Sequence, residues 1–95
     1  MATYRLSPDA EDDLYFIWVY GAKRFGLDQA DRYYQAFFHQ FDIIAKDPFL
    51  FPSVDYIKKG YRRVVSGVDS IYYRINGDII EIMAIVGRQD IYSKL

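Results

Sequence analysis

The segments GYRRVVSG (60–67), VDSIYYRI (68–75), NGD (76–78), IIEIMAIV (79–86) and GRQD (87–90) decide the fold. Three runs rich in Val, Ile and Tyr are parted by turn residues, and branched and aromatic side chains favour the pleated, half-buried surface of a strand. Gly67 divides the first two runs. Asn76-Gly77 divides the second from the third, and such a pair supplies the positive φ angles of a tight hairpin. The reading is a three-stranded antiparallel meander carrying Arg62, Arg63, Arg74 and, just beyond it, Arg88.

Everything before Gly60 reads as the scaffold for that meander. Thr3 to Leu6 is a short first strand with Tyr4 and Leu6 on one face. Ser7-Pro8 opens a helix: Ser caps free amide groups, and Pro suits the first helical position because its missing N–H would be unpaired there. Asp9, Glu11, Asp12 and Asp13 crowd the start, where the helix dipole favours anions. Ala10, Leu14, Ile17, Trp18, Gly21 and Phe25 form a helical stripe, flanked by Tyr15, Val19 and Ala22, and Gly26 is a stop. Asp28 is expected to cap a second helix with the stripe Ala30, Tyr34, Phe37, Phe38, Phe41, Ile44 and Ala45, ended by Lys46-Asp47-Pro48. Two helices on so short a link should pack as an antiparallel hairpin. Residues 49–59 are irregular yet apolar, as expected of a segment lying flat over the edge of the core. The result is an α+β domain in β-α-α-β-β-β order. A helical hairpin covers one face of a small antiparallel sheet, the other face is left bare, and a short C-terminal tail or helix follows.

Ninety-five residues make one domain, 1–95. Ten Tyr and seven Phe exceed what so small a core needs, so some rings should meet a partner. The chain has no Cys, which removes disulfides and thiolate metal sites and fits a reducing cytoplasm. No apolar run approaches the length of a membrane span, and no signal segment opens the chain. The net charge of −1 gives no global basic field for nucleic acid. Residues 1–47 hold 5 basic against 8 acidic side chains and residues 48–95 hold 7 against 5, a mild asymmetry of ordinary surface charge.

The chemistry-bearing residues point to docking rather than catalysis. Arg62 and Arg63 are neighbours on a strand and so face opposite ways. Arg74 shares a face with one of them according to register. Guanidinium groups beside Tyr suit phosphate, carboxylate or an acidic peptide, unless they pair internally with Asp69, Glu81 or Asp90. His39 falls off the Phe37–Phe41 stripe and reads as solvated. Asp9, Asp12 and Asp13 read as dipole partners, not as a metal site. No nucleophile–His–acid set and no Gly-rich phosphate loop is present, and no cofactor or metal is expected. Tyr15, Trp18, Val19 and Tyr33 are candidate anchors for a partner helix or strand.

Taken in order, YRLSP (4–8) with its acid-rich sequel, Ile17-Trp18, Phe25-Gly26, Gln29-Ala30, AKDP (45–48), GYRR (60–63), IYYR (71–74) and GRQD (87–90) resemble the ParE toxins of the RelE/ParE superfamily across essentially the whole chain. That resemblance implies the same β-α-α-β-β-β fold. It also implies a cytoplasmic toxin of a bacterial type II toxin–antitoxin pair, held by a ParD-like antitoxin, that poisons DNA gyrase by binding it without sequence-specific nucleic-acid binding of its own. On this reading Arg62, Arg63, Arg74, Arg88 and Tyr92 form the target surface, and Tyr15, Trp18, Val19 and Tyr33 meet the antitoxin. The alternative is a RelE-like ribosome-dependent mRNA endoribonuclease using Arg62, Arg63, Arg88 and Tyr92. A third possibility is an inert member kept as an antitoxin partner. The chain departs from many ParE members at Gly67-Val68-Asp69 and Val86-Gly87-Arg88, where those carry histidines.

Overall fold

A computed structural model describes residues 3–87 of the chain. The elements are β1 (Thr3–Leu6), α1 (Pro8–Phe25), α2 (Leu27–Lys46), β2 (Tyr61–Ser66), β3 (Asp69–Asn76) and β4 (Ile79–Gly87). The order is the one expected. Ser7 caps α1, its Oγ accepting the Ala10 N–H at 3.0 Å, and Pro8 takes the first turn. Gly26, at φ 93°, ends α1 and is also the residue before α2, so a single glycine makes the reversal. Asp28 is therefore not the cap of α2: it sits inside the first turn, where its charge still meets the helix dipole favourably.

The strands lie in the order β1-β4-β3-β2. The meander β2-β3-β4 is antiparallel, as read from its turns. β1 instead joins it parallel to β4, pairing Thr3 with Ile79 through Leu6 with Ile82, so the sheet is mixed. This places β4 between two neighbours and under cover on both faces, which explains why it reads as an almost unbroken apolar run rather than an alternation. Both hairpin loops have two residues with glycine first, Gly67-Val68 and Gly77-Asp78, the pattern of a type II′ turn. Asn76 does not share the positive φ expected of it; Gly77 alone is left-handed there, at 62°.

The pairing slips by one residue in the middle of the sheet. Tyr72 faces Ala84 and Tyr73 faces Ile82, which leaves Met83 as a bulge. Ile80, Ile82 and Ile85 all reach the helix side because of it, whereas strict alternation would have sent Ile85 to the opposite face. On the helix side they meet Ala10, Leu14, Phe37, Phe41, Ile44, Val64, Ile71 and Tyr73. Tyr73 is fully buried and donates its hydroxyl to Pro48 O at 2.6 Å; burial pushes its pKa up to about 12.

The opposite face is not bare. Residues 52–57 run along the outer edge of β2 and fold beneath the sheet. Val54 N–H donates to Tyr61 O at 2.8 Å, and Arg63 N–H to Pro52 O at 3.2 Å. Val54 and Ile57 then pack on Tyr61, Tyr72, Ala84 and Val86 as a second core. Val54 and Ile57 thus cover a face that strand alternation alone leaves open, whereas Phe51 packs on the helix-side core and Phe49, Leu50 and Tyr56 stay exposed.

Candidate protein-docking site

Ala10 and Leu14 at the start of α1 and Phe37, Phe41 and Ile44 late in α2 are sealed in the core against the strands, whereas rings further along α1 are not. Phe16, Tyr20 and Phe25 on α1 are 65, 61 and 56 % exposed, and Val68 in the β2–β3 turn is 85 % exposed. Together with Ile17, Ala30, Ala36, Ile85 and Val86 they line a groove of about 930 Å³ between the hairpin and the end of the sheet. A solvent-open apolar surface of this kind on a small domain makes the groove the candidate site of association.

One end of the groove is polar and strictly positioned. Asp13, buried on α1, accepts the Ile85 N–H at 2.9 Å, which satisfies the β4 edge just past the point where β1 stops. Tyr33 on α2 reaches the β2–β3 turn. Its hydroxyl lies 2.9 Å from both Ser66 O and Asp69 Oδ2 and accepts the Val68 N–H at 3.3 Å. Burial, with the Asp69 bond second, raises the Tyr33 pKa to about 12. Asp69 is itself raised, first by burial and also by the neighbouring charge of Asp13, against the lowering effect of the Tyr33 bond. Gly67 is obligatory here on two counts. Its φ is +62°, and a Cβ would sit 2.5 Å from the Tyr33 ring.

The arginines are dispersed. Arg62 and Arg63 do face opposite ways. Arg62 donates to Phe51 O at 2.6 Å with its guanidinium 5.0 Å from the Phe49 ring centre. Arg63 lies on the other face with its guanidinium 3.5 Å from the hydroxyls of Tyr72 and Tyr56. Arg74 shares the Arg63 face but is committed to Glu81, Nε to Oε1 at 2.7 Å, and Arg5 Nε donates to the other carboxylate oxygen at 3.2 Å. Those bonds, Arg5's first, lower the Glu81 pKa. Arg88 and Tyr92 lie outside the described residues. The internal pairing anticipated for these arginines therefore applies to Arg74 and not to Arg62 or Arg63.

Of the anchors expected from sequence, Tyr33 lines the groove and Tyr15, Trp18 and Val19 do not. Trp18 instead ties the two helices together, its Nε1–H donating to Asp31 Oδ1 at 2.8 Å. Tyr15 is exposed, edge-on to Phe16. Phe16, Tyr20 and Val68 also line the groove and were not among the residues singled out from sequence. Phe16 and Tyr20 did leave a signal, being two rings four residues apart outside the core stripe of α1. His39 is exposed as expected, and among the described residues no cluster of three or more His, Asp or Glu is placed to hold a metal ion.

Residues 4–92 match the family described as ParE toxin of type II toxin-antitoxin system, parDE. The chain belongs to the ParE toxin family. It is 36 % identical over 75 residues to Toxin ParE1 of Mycobacterium tuberculosis (strain ATCC 25618 / H37Rv), covering 79 % of this chain and 76 % of that one. It is 35 % identical over 86 residues to Toxin ParE1 of Caulobacter vibrioides, covering 90 % and 88 %. In fold it is similar to a chain of the structure titled "Chromosomal ParDE TA system from P. aeruginosa", with TM-score 0.79 and 19 % identity over 92 % of this chain and 95 % of that one. This ParE chain is thus the toxin component of a type II toxin–antitoxin system, with the sheet-and-hairpin architecture of its family. No helix among its described residues is long and apolar enough to cross a membrane.

Proposed function

We propose that this ParE toxin works in the cytoplasm by binding DNA gyrase and trapping its cleaved-DNA state, and that a ParD-like antitoxin silences it by occupying the groove beside the helical hairpin. The observation that carries the antitoxin half is the groove itself: rings at Phe16, Tyr20 and Phe25 are exposed to solvent along its apolar lining. Apolar surface of this extent is stabilised when a partner removes it from water. Tyr33 belongs to that groove; Tyr15, Trp18 and Val19 would extend the contact onto the outer side of the hairpin. For gyrase, the proposed surface is Arg62 on its ring platform at Phe49 and Arg63 with Tyr56, continued by Arg88 and Tyr92. Arginine flanked by exposed aromatic rings is the composition of energetic centres at protein interfaces. Arg74 contributes indirectly, by fixing Glu81.

The described geometry favours docking over phosphodiester cleavage, because Arg62 and Arg63 flank opposite faces of β2 and do not converge on one phosphate-sized point as transition-state stabilisation requires. The test is incubation of the purified chain with gyrase and supercoiled plasmid, alongside translating ribosomes with a defined mRNA. Trapped cleavage complexes that fade in Arg62→Glu or Arg63→Glu support the proposal. Codon-positioned mRNA cuts would instead establish the ribonuclease, and an effect on neither would identify an inactive member retained for its antitoxin.

A further inference from the structure

Four arginines lie on the strands, and three of them are committed. Arg62 donates to Phe51 O at 2.6 Å, and Arg5 and Arg74 divide the Glu81 carboxylate between them. Arg63 is the exception. Its guanidinium meets the hydroxyls of Tyr72 and Tyr56, each at 3.5 Å, beyond the usual span of an N–H···O bond. These tyrosines raise its pKa, the Tyr72 bond first, and no carboxylate acts on it.

The Tyr72 hydroxyl gives that arrangement its meaning. Tyr72 is fully buried in the core beneath the sheet. Its oxygen accepts from Arg63 Nη1 and makes no other hydrogen bond among the described residues. A guanidinium can donate but never accept, so the phenolic proton has no acceptor. A buried O–H in that condition carries a desolvation cost until an acceptor reaches it. Tyr56 brings a second hydroxyl, this one exposed, to the same guanidinium. The segment that carries Tyr56 is held in place: Ile57 N–H donates to Val54 O at 2.8 Å, and Asp55 Oδ1 accepts the Gly60 N–H at 2.8 Å. Donors fixed before a ligand arrives need little further ordering when it binds.

We propose that Arg63, Tyr56 and Tyr72 form a receptor for one carboxylate, an Asp or Glu side chain on the surface of gyrase. Its oxygens take N–H bonds from Arg63 and O–H bonds from the two tyrosines. The long contacts of Arg63 let the guanidinium swing outward with the incoming group, which opens the Tyr72 hydroxyl beneath it. This rests on the gyrase reading given above and adds the chemistry of the contact. A single carboxylate fits better than a run of phosphates. Tracking a nucleic acid takes several cations in file, whereas Arg62 is on the opposite face, Arg5 and Arg74 are paired with Glu81, and the chain carries a net charge of −1.

The test titrates purified gyrase into the full-length toxin and follows the thermal melt of each free variant. Arg63→Gln is expected to weaken the complex about tenfold or more, and Tyr72→Phe about fivefold. Free Tyr72→Phe should melt at or above the wild type, because the O–H it loses had no acceptor. A lower melt, or failure to fold, would show that the hydroxyl serves the fold, and the proposal falls. If Arg62→Glu weakens gyrase binding while Arg63→Gln and Tyr72→Phe do not, the carboxylate receptor is wrong and the gyrase reading stands. If the wild-type toxin does not bind gyrase, both fall together. Binding of a short DNA or RNA oligonucleotide that Arg63→Gln abolishes would assign the site to phosphate and overturn the proposal. Should Arg63→Gln unfold the chain, Arg63→Lys decides: it keeps the charge and loses the planar fork, so unchanged gyrase affinity there counts against the receptor.

Discussion

The two ends of the helical hairpin carry similar apolar stripes and meet opposite fates. At one end Leu14, Phe37, Phe41 and Ile44 are 2 % exposed or less, packed in one core with Ile71, Ile80, Ile82 and Ile85 of the sheet. At the other, Phe25 and Leu27 stand in solvent, as do Phe16 and Tyr20 on a neighbouring face of α1. The chemistry of the side chains is similar; what differs is the surface each one meets after packing. Helical periodicity fixes that a face is apolar, and the packing of the elements decides which apolar side chains become core and which stay in solvent. In a ParE toxin that division separates the residues that hold the fold from those proposed to meet the antitoxin.

The sharpest break in this comparison should come from Phe37→Ala, which empties a fully buried position and is expected to cost about 3–5 kcal/mol in chemical denaturation. Next is Gly67→Ala at the seam between the two ends. The left-handed backbone and the displaced Tyr33 ring should together cost about 2 kcal/mol or more, and crystallography of the variant should show the ring moved. Asp13→Ala orphans the Ile85 N–H and is expected to cost about 1–3 kcal/mol, with faster amide exchange at Ile85 as its signature.

A fourth test uses pH. Glu81 has a folded pKa below its ordinary value, so its contribution is present above the unfolded pKa of about 4.5 and is lost as pH falls through the folded one. Glu81→Gln should flatten the acid limb of the stability curve measured by thermal melts and leave the neutral region less stable. Asp69 runs the other way. Its pKa is raised, so its charge opposes folding once pH climbs past the folded value, and Asp69→Asn should remove that opposition. The smallest effect belongs to Phe25→Ala at the free end, within about 0.5 kcal/mol of wild type. A loss as large as that of Phe37→Ala would mean that the Phe25 end is core after all and that the two ends do not differ.

Much of this was legible before any coordinates. Ser7-Pro8, Gly26, Gly67 and Gly77 are local signals whose geometry is set by the residue itself, and each sits at a boundary. The two stripes and the three Val/Ile/Tyr runs needed only periodicity. Arg62 and Arg63 could be sent to opposite faces from adjacency alone. Asp28 lost the cap of α2 because Gly26 was needed for the turn. Other features waited on partners distant along the chain: Trp18 bonds to Asp31 on the next helix, and which of Asp69, Glu81 and Asp90 Arg74 meets depended on the register of β3 against β4.

From sequence alone follow the number of elements, their order, their apolar faces and, through the ordered motifs, the ParE family, because these depend on residues within a turn or two of one another. Only the tertiary structure decides that β1 runs parallel to β4, that Met83 bulges so that Ile85 turns to the helices, that residues 52–57 close the far face, and that Asp13, Tyr33 and Asp69 share one end of a groove. These depend on which surfaces remain unburied once the elements have packed, and that balance is settled by the whole molecule rather than by any stretch of it.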